Sequence, residues 1–310
     1  MESGQLGEKI LIAGGSGVIG ISLSQFLKQK GYQVSILSRS ESQSSPFKTY
    51  LWNPEKDEID KDAFENLKYV IQLSGANISE KRWTNERKKE IIESRIRTTN
   101  LLFLTIKNSK IKLKAFISAS AIGYYGAVSS NHIYTESDPA GGDFLAKTCI
   151  EWEKTADQFN NIGIRTIKIR TGIVLTKTGG ALSKMTMPIK FGFGSALGSG
   201  EQYFPWIHIS DLCQIYLKAM RDDNMNGAYN AVAPSFIMNK DFTKSLAKAL
   251  DKPLWLPNIP SFILKMIFGE MSIVLLHGSR ISSEKLLAAG YHFQFKEIEN
   301  TLIDLFPLKS

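Results

Sequence analysis

The segment Lys9-Ile-Leu-Ile-Ala13 is a short apolar run that stops at Gly14-Gly15-Ser16-Gly17-Val18-Ile19-Gly20 and passes into a stretch where Ile19, Leu23, Phe26 and Leu27 recur at helical spacing. A continuous apolar run suits a strand covered on both faces. The glycines supply a tight turn, and Gly31 offers a left-handed stop for the helix. The turn fits GxxGxxG through glycines 14, 17 and 20, and GxGxxG through 15, 17 and 20. Between a strand and a helix such glycines have mechanical tasks. The first permits the turn, the middle one lets a pyrophosphate approach the backbone, and the last lets helix and strand pack closely. Free amides at the helix start then receive the anion, which makes Gly14, Gly15, Ser16, Gly17, Val18, Ile19 and Gly20 candidate cofactor contacts.

The alternation continues. Gln33 to Ser38, Tyr69 to Leu73, Ala115 to Ser118 and Ile164 to Ile169 read as further strands. From Thr84, a good cap, Ile92, Ile96, Thr99, Phe103 and Ile106 keep one helix face apolar for about six turns. Leu145, Cys149, Trp152, Ala156 and Phe159 form a second helical stripe. Strands that alternate with helices predict an α/β fold, a Rossmann-type doubly wound parallel sheet over residues 1–175. From 176 to 310 the pattern loosens into a smaller mixed α/β substrate-side region, punctuated by Gly179, Gly180, Gly192, Gly194, Gly198 and Gly200. A helix from about Leu212 with Asp211 as its cap, a strand at Ala228 to Ala231 and a helix from about Lys240 are expected there, and 206–232 is free to return to the first unit.

Composition narrows the classes. A chain of 310 residues with 43% apolar and 22% charged side chains can bury a full core, which excludes disorder. Cys149 and Cys213 lie far apart without a zinc spacing, so neither a disulfide framework nor a metal site is expected. The excess of 38 Lys+Arg over 30 Asp+Glu, +8, favours acidic ligands such as phosphates without the concentrated basic face of a nucleic-acid binder. The start Met-Glu-Ser-Gly-Gln-Leu-Gly-Glu-Lys lacks the basic opening of a secretory signal, and a cytoplasmic protein is expected. The apolar stretch Phe262 to Leu276, cut by Lys265, Gly269 and Glu270, is too short to span a bilayer and reads as a packed helix and turn. No nucleic-acid or membrane partner is expected, only a small-molecule substrate and a monomer or homodimer.

A dinucleotide with a free 2′-hydroxyl usually meets an acidic residue at the end of the second strand. Here that place reads Ser38-Arg39-Ser40. Arg39 suits a 2′-phosphate, so NADP(H) is preferred over NAD(H).

Several spaced motifs then resemble one family. Lys9 to Gly20, Leu73-Ser-Gly-Ala-Asn-Ile78, Lys81-Arg-Trp83, Ser94-Arg95, Ser118-Ala-Ser-Ala-Ile-Gly-Tyr-Tyr-Gly126, Arg170-Thr-Gly172, Phe204-Pro-Trp-Ile-His208 and Asn230-Ala-Val-Ala-Pro234 resemble the atypical extended short-chain dehydrogenase/reductases, the NAD-dependent epimerase/dehydratase-like "epimerase family" proteins. The similarity covers nearly the whole chain. Leu256-Pro257, Gly278-Ser-Arg280 and Ala288-Ala-Gly290 resemble that group's small C-terminal domain of uncharacterised function. The resemblance implies an NADP(H)-binding Rossmann domain, with Gly75 and Ala76 by the adenosine half and Arg170, Gly172 and Val174 on the nicotinamide side. Arg95, Ser118 and Ala119 join the cofactor set, and Ser120 takes the place of the active-site hydroxyl.

The chain departs from its parent class at the Tyr-x-x-x-Lys pair, whose helix reads Gly142-Asp-Phe-Leu-Ala-Lys-Thr-Cys-Ile-Glu-Trp-Glu153. Anchored on Glu153, the pair's positions hold Leu145 and Cys149; a shifted frame gives Asp143 and Lys147. Tyr124 and Tyr125, in a glycine-flanked loop, and His208, the side chain most easily poised near neutrality, are the candidate replacements. Arg82, Trp83 and Trp206 are candidate substrate contacts, an anion fork and two stacking faces. Two functions remain open: an NADP(H)-dependent oxidoreductase or epimerase acting on a carbonyl or alcohol carbon, nucleotide sugars among its candidate substrates, and a cofactor-binding regulator or redox sensor with little turnover. Members of the family have been labelled cell-division inhibitors.

Overall fold

The computed structural model describes residues 7–40, 45–109 and 111–307. In chain order the strands are β1 (Lys9–Ala13), β2 (Gln33–Ser38), β3 (Lys48–Asn53), β4 (Glu58–Ile59), β5 (Leu67–Gln72), β6 (Ala115–Ala121), β7 (Ile133–Tyr134), β8 (Thr166–Thr171), β9 (Ile173–Leu175), β10 (Trp206–His208), β11 (Gly227–Ala231) and β12 (Arg280–Ile281). The helices are α1 (Val18–Gln29), α2 (Asn85–Lys107), α3 (Phe144–Asp157), α4 (Gly180–Lys190), α5 (Ile209–Arg221), α6 (Asn239–Ala249), α7 (Ser261–Phe268), α8 (Ile273–Leu276), α9 (Glu284–Ala288) and α10 (Ile298–Leu305).

Eight strands form one sheet in the order β11-β8-β6-β5-β1-β2-β3-β4, parallel throughout except for the β3–β4 pair. The expected doubly wound α/β sheet is therefore present. Its edge hairpin, β3 with β4, is not legible as strand from the sequence, because only Tyr50 and Trp52 of β3 are buried. The period of two along β1 explains why its sequence is apolar without a break. Ile10 and Ile12 face α1 and α5, packing with Leu23, Leu27, Leu212 and Tyr216, while Leu11 and Ala13 face the other layer with Leu102, Phe103 and Phe159.

The chain winds outward from β1 through β2 and β3, then returns on the other side of β1 through β5, β6, β8 and β11. The order reverses between β1 and β5, and ligands of open α/β sheets bind at the carboxyl ends of strands at such a switch point. β11, from the later part of the chain, pairs in parallel with β8 from Gly227 to Ala231. A second lobe collects Leu182, Phe204, Trp206, Phe242, Leu246 and Leu302 into its own apolar cluster. The lobes are joined by the short parallel pairs β9–β10 and β7–β12.

Two local expectations are corrected. Helix α5 begins at Ile209, and its cap is His208, whose Nδ1 accepts from the Ser210 amide at 3.1 Å. Asp211 instead lies in the first turn, where its buried carboxylate accepts from the amides of Gln294 and Phe295 at 2.9 Å and the Tyr291 hydroxyl at 2.7 Å. It pins the C-terminal loop, a demand that only the tertiary fold creates. The stretch at 262–276 is not a packed helix: α7 buries only Leu264 and leaves Phe262 and Met266 exposed.

Candidate functional site

The glycine turn sits at the switch point. Gly14 has φ +83°, and a Cβ there would lie 2.8 Å from the Ser74 amide nitrogen at the end of β5. A Cβ on Gly20 would come within 2.2 Å of the Gly14 carbonyl oxygen, so that position admits only glycine if α1 is to pack on the turn. Gly17 is different. A Cβ there would meet only the Gly14 carbonyl oxygen, at 3.4 Å, an ordinary contact. Gly17 caps α1 without any side-chain acceptor, and no acidic residue stands in the first turn. The first amides of α1 are therefore left for an anion. This cradle of glycine backbone and unclaimed donors fits a pyrophosphate.

The remaining cofactor candidates divide. Arg39 lies just past β2 and is exposed, with no side-chain hydrogen bond among the described residues. Glu41, which follows closely, lies outside the described residues. Gly75 and Ala76 follow Ser74, which abuts Gly14, and are held by the Ala76 amide donating to Ser94 Oγ at 2.9 Å. Arg95 packs against Gly75, donating to the carbonyls of Ala76 at 3.1 Å and Ile91 at 2.8 Å, and its guanidinium lies over Trp152. It has no carboxylate partner among the described residues, and burial pushes it down to about 10. Ser118 is fully buried in β6, its hydroxyl donating to the Ala119 carbonyl at 2.9 Å, and Ala119 is half-buried. Gly172 permits close packing, since a Cβ would meet the Pro205 carbonyl at 2.7 Å, and Val174 is half-buried in β9.

The hydroxyls expected to carry chemistry are tied into a buried network. Ser120 donates to Glu153 Oε1 at 2.7 Å. Arg170 holds both oxygens of Glu153, at 2.8 Å from Nε and 2.9 Å from Nη2, and donates through Nη1 to the Tyr125 hydroxyl at 3.0 Å. Tyr125 in turn donates to Asn230 Oδ1 at 2.7 Å, and Asn230 Nδ2 donates to the Ser282 carbonyl at 3.1 Å. Burial would depress the Arg170 guanidinium, but the hydrogen bonds and charge of Glu153 outweigh it and hold the group above the ordinary arginine value. Burial pushes Tyr125 up to about 12. Arg170, placed by resemblance on the nicotinamide side, thus spends its donors inside the protein.

Tyr124 behaves differently from its neighbour. Its half-buried ring stacks on the Arg170 guanidinium at 3.4 Å, and its hydroxyl has no hydrogen-bond partner among the described residues. His208 is buried against the C-terminal segment, its ring 3.8 Å from Phe295 and Nε2 3.4 Å from an Asp304 oxygen, without hydrogen-bond geometry. Burial lowers its pKa. Because Nδ1 accepts from Ser210, the neutral ring carries its proton on Nε2. Asp143 and Lys147 do not form an acid pair. Asp143 caps α3 by accepting from the Ala146 amide at 2.9 Å and also accepts from the Ala127 amide at 2.6 Å, while Lys147 is exposed. The Cys149 thiol, pushed up to about 12 by burial, rests against the Ala121 carbonyl.

A cleft of about 590 Å³ opens beside the start of α3, lined by Trp83, Phe144, Leu145, Ile273 and Leu276 and edged by Lys88, Lys265 and Glu270. Trp83 is held by donation to the Ile78 carbonyl at 2.8 Å and meets Phe144 edge-on at 4.9 Å. Arg82 lies outside the cleft lining and donates to the carbonyls of Met266 and Ile267, capping α7. Trp206 is 1% exposed inside the second lobe and does not reach the cleft. Sequence reasoning placed Asn230 in a motif but missed its role and that of Glu153, whose partners are distant in the chain, and it gave no signal for the α7 and α8 wall. Among the described residues no cluster of His, Cys, Asp or Glu could hold a metal.

A doubly wound sheet with a glycine cradle at its switch point defines a dinucleotide-binding α/β protein. The chain belongs to the NAD dependent epimerase/dehydratase family, whose model matches residues 10–231; residues 259–305 match a domain of unknown function, DUF1731. It is 35% identical over 301 residues to the mouse (Mus musculus) epimerase family protein SDR39U1, covering 96% of this chain and 99% of that one. A crystal structure of human epimerase family protein SDR39U1 with NADPH superposes with a TM-score of 0.85 at 30% identity, covering 97% of this chain and 100% of that chain. A nucleoside-diphosphate sugar epimerase from Corynebacterium glutamicum superposes with a TM-score of 0.79 at 28% identity, over 97% of this chain and 58% of that one.

Proposed function

We propose that this chain binds a nicotinamide dinucleotide, NADP(H) in preference to NAD(H), and uses it on a carbonyl or alcohol carbon of a small molecule held in the cleft. The observation that carries the reading is the cradle: Gly14 and Gly20 are sterically obligatory, whereas Gly17 is under no such contact and caps α1 without a side-chain acceptor. The similarity to a relative solved with NADPH supports it. Arg39 supports the 2′-phosphate, because an exposed guanidinium just past β2 offers a two-point donor where an acidic residue would repel. The coenzyme, when bound, supplies or accepts the hydride. Tyr124 is assigned the proton, as the candidate hydroxyl with no internal partner. The cleft wall at the expected proton-donor position is Leu145, and the aromatic lining suits a substrate with an apolar or ring-shaped body.

A second reading, a cofactor-binding regulator with little turnover, is favoured by one observation: Ser120 and Tyr125 both donate inward, to Glu153 and Asn230. Cofactor absorbance followed against sugar nucleotides, aldehydes and quinones, with Tyr124→Phe beside the native chain, separates the two. Turnover that the variant loses supports the enzyme; tight NADPH binding with no turnover across the panel supports the regulator.

A further inference from the structure

Two stretches of the second lobe carry lysines and no acidic residue. Residues 178–200 hold Lys184 and Lys190, and residues 252–269 hold Lys252 and Lys265. The same stretches supply the most exposed large apolar side chains among the described residues: Phe191 at 73%, Phe262 at 69%, Trp255 and Met266 at 68%, Phe193 at 64% and Met187 at 62%. The stretches run side by side. The Gly198 amide donates to the Ile259 carbonyl and the Ile259 amide to the Ala196 carbonyl, each at 2.9 Å, and a Cβ on Gly194 would lie 2.7 Å from Leu254. Helix α7 is fixed at its far end by Arg82, so its apolar side chains are presented on an anchored helix. Exposed apolar area on this scale marks an interaction face.

We propose that this face docks the protein on the surface of an anionic lipid bilayer. Trp and Phe side chains with interspersed lysines are the composition of an interfacial anchor, with rings at the headgroup–acyl boundary and ammonium groups against acidic headgroups. Lys190, Lys252 and Lys265 have no ion-pair partner among the described residues and are available for that contact. A second copy of the chain is the poorer occupant, because within the two stretches the lysines meet no acid, Glu201, Asp251 and Glu270 standing only at their ends. No helix among the described residues is long and apolar enough to cross a membrane, so the contact is peripheral. The expectation of no membrane partner rested on the lack of a spanning segment and does not bear on a peripheral contact. Lys265 also lines the cleft, and docking brings the cleft mouth to the lipid surface.

The test is co-sedimentation of the full chain with phosphatidylcholine vesicles, with and without phosphatidylglycerol, and it requires no cofactor. Binding to the anionic vesicles is expected, with a blue shift of tryptophan emission and weakening as salt rises. Phe262→Asp combined with Met266→Asp lowers the vesicle affinity by roughly tenfold or more, while melting temperature and NADPH titration stay unchanged. Lys190→Glu with Lys252→Glu has the same direction. Absence of binding to anionic vesicles at low salt overturns the proposal, as does equal binding by the Asp variant. A dimer seen by sedimentation velocity that the Asp variant dissolves would overturn it too, and assign the face to self-association.

Discussion

Arg170 and Glu153 form a two-point ion pair, at 2.8 and 2.9 Å, beneath the carboxyl end of the sheet. Glu153 lies on α3, the helix whose Leu145 and Cys149 stand at the positions of the Tyr-x-x-x-Lys pair, and the ion pair claims Ser120 and Tyr125 as hydrogen-bond partners. Charge neutralisation and hydrogen bonding have been built into one buried unit, which leaves those two hydroxyls with structural work.

Removing one partner of this unit should be costly. Glu153→Ala leaves a buried guanidinium without a counter-charge and Ser120 without its acceptor, and is expected to lose about 3–5 kcal/mol in urea unfolding. Glu153→Met with Arg170→Met should recover most of that loss. A single variant within about 0.5 kcal/mol of the native chain would show that the pair is not holding the site together.

The two adjacent tyrosines should separate by assay. Tyr125→Phe leaves Asn230 Oδ1 without its donor and costs about 1–3 kcal/mol of stability, with NADPH affinity unchanged. Tyr124→Phe keeps native stability and lowers turnover by about a hundredfold, the lower range for a positioned acid. If Tyr125→Phe alone abolished turnover in a folded protein, the roles assigned here would be reversed.

The glycine turn makes a sharper distinction. Gly20→Ala must displace the Gly14 carbonyl, and overpacking of that kind costs about 1–3 kcal/mol. Gly17→Ala meets nothing closer than 3.4 Å but puts a poorer residue at the cap of α1, so stability should fall by no more than about 1 kcal/mol while NADPH affinity falls by about tenfold or more, equal to about 1.4 kcal/mol. Equal affinity in Gly17→Ala would place the ligand elsewhere.

Acid should expose His208. Its folded pKa is depressed from the ordinary 6.5 by burial, so below that pH the unfolded chain takes a proton that the folded chain refuses. The histidine's contribution is complete above 6.5 and is lost as pH falls toward the folded value, with a slope of up to about 1.4 kcal/mol per pH unit. His208→Asn retains a cap acceptor and should flatten unfolding free energy against pH in this window. An unchanged slope would mean that another group sets it.

The turn, the helix after it and the central strands were legible because local signals and global demand coincide there. β1 is buried on both faces, and the turn after it carries its glycines in a compact local pattern, with Gly20 closing on the Gly14 carbonyl six residues before it. Elsewhere the deciding contacts are distant. Tyr125 and Asn230 lie 105 residues apart, and Ser120 and Glu153 33 apart, so two side chains with catalytic character carry no sequence mark of their being bonded inward. Trp206 reads as a stacking face yet fills the second lobe, since a tryptophan's sequence context does not say which side of a strand is covered. Likewise the apolar letters of α7 predict burial, and only the packed chain shows that nothing among the described residues covers Phe262 and Met266.

The most direct test of the account is a nicotinamide-fluorescence titration of the purified chain with NADPH and NADH, repeated with Arg39→Ala. The account predicts saturable binding of NADPH, weaker binding of NADH, and a variant that loses about tenfold in NADPH affinity while NADH affinity stays unchanged. No saturable binding of either coenzyme would contradict it.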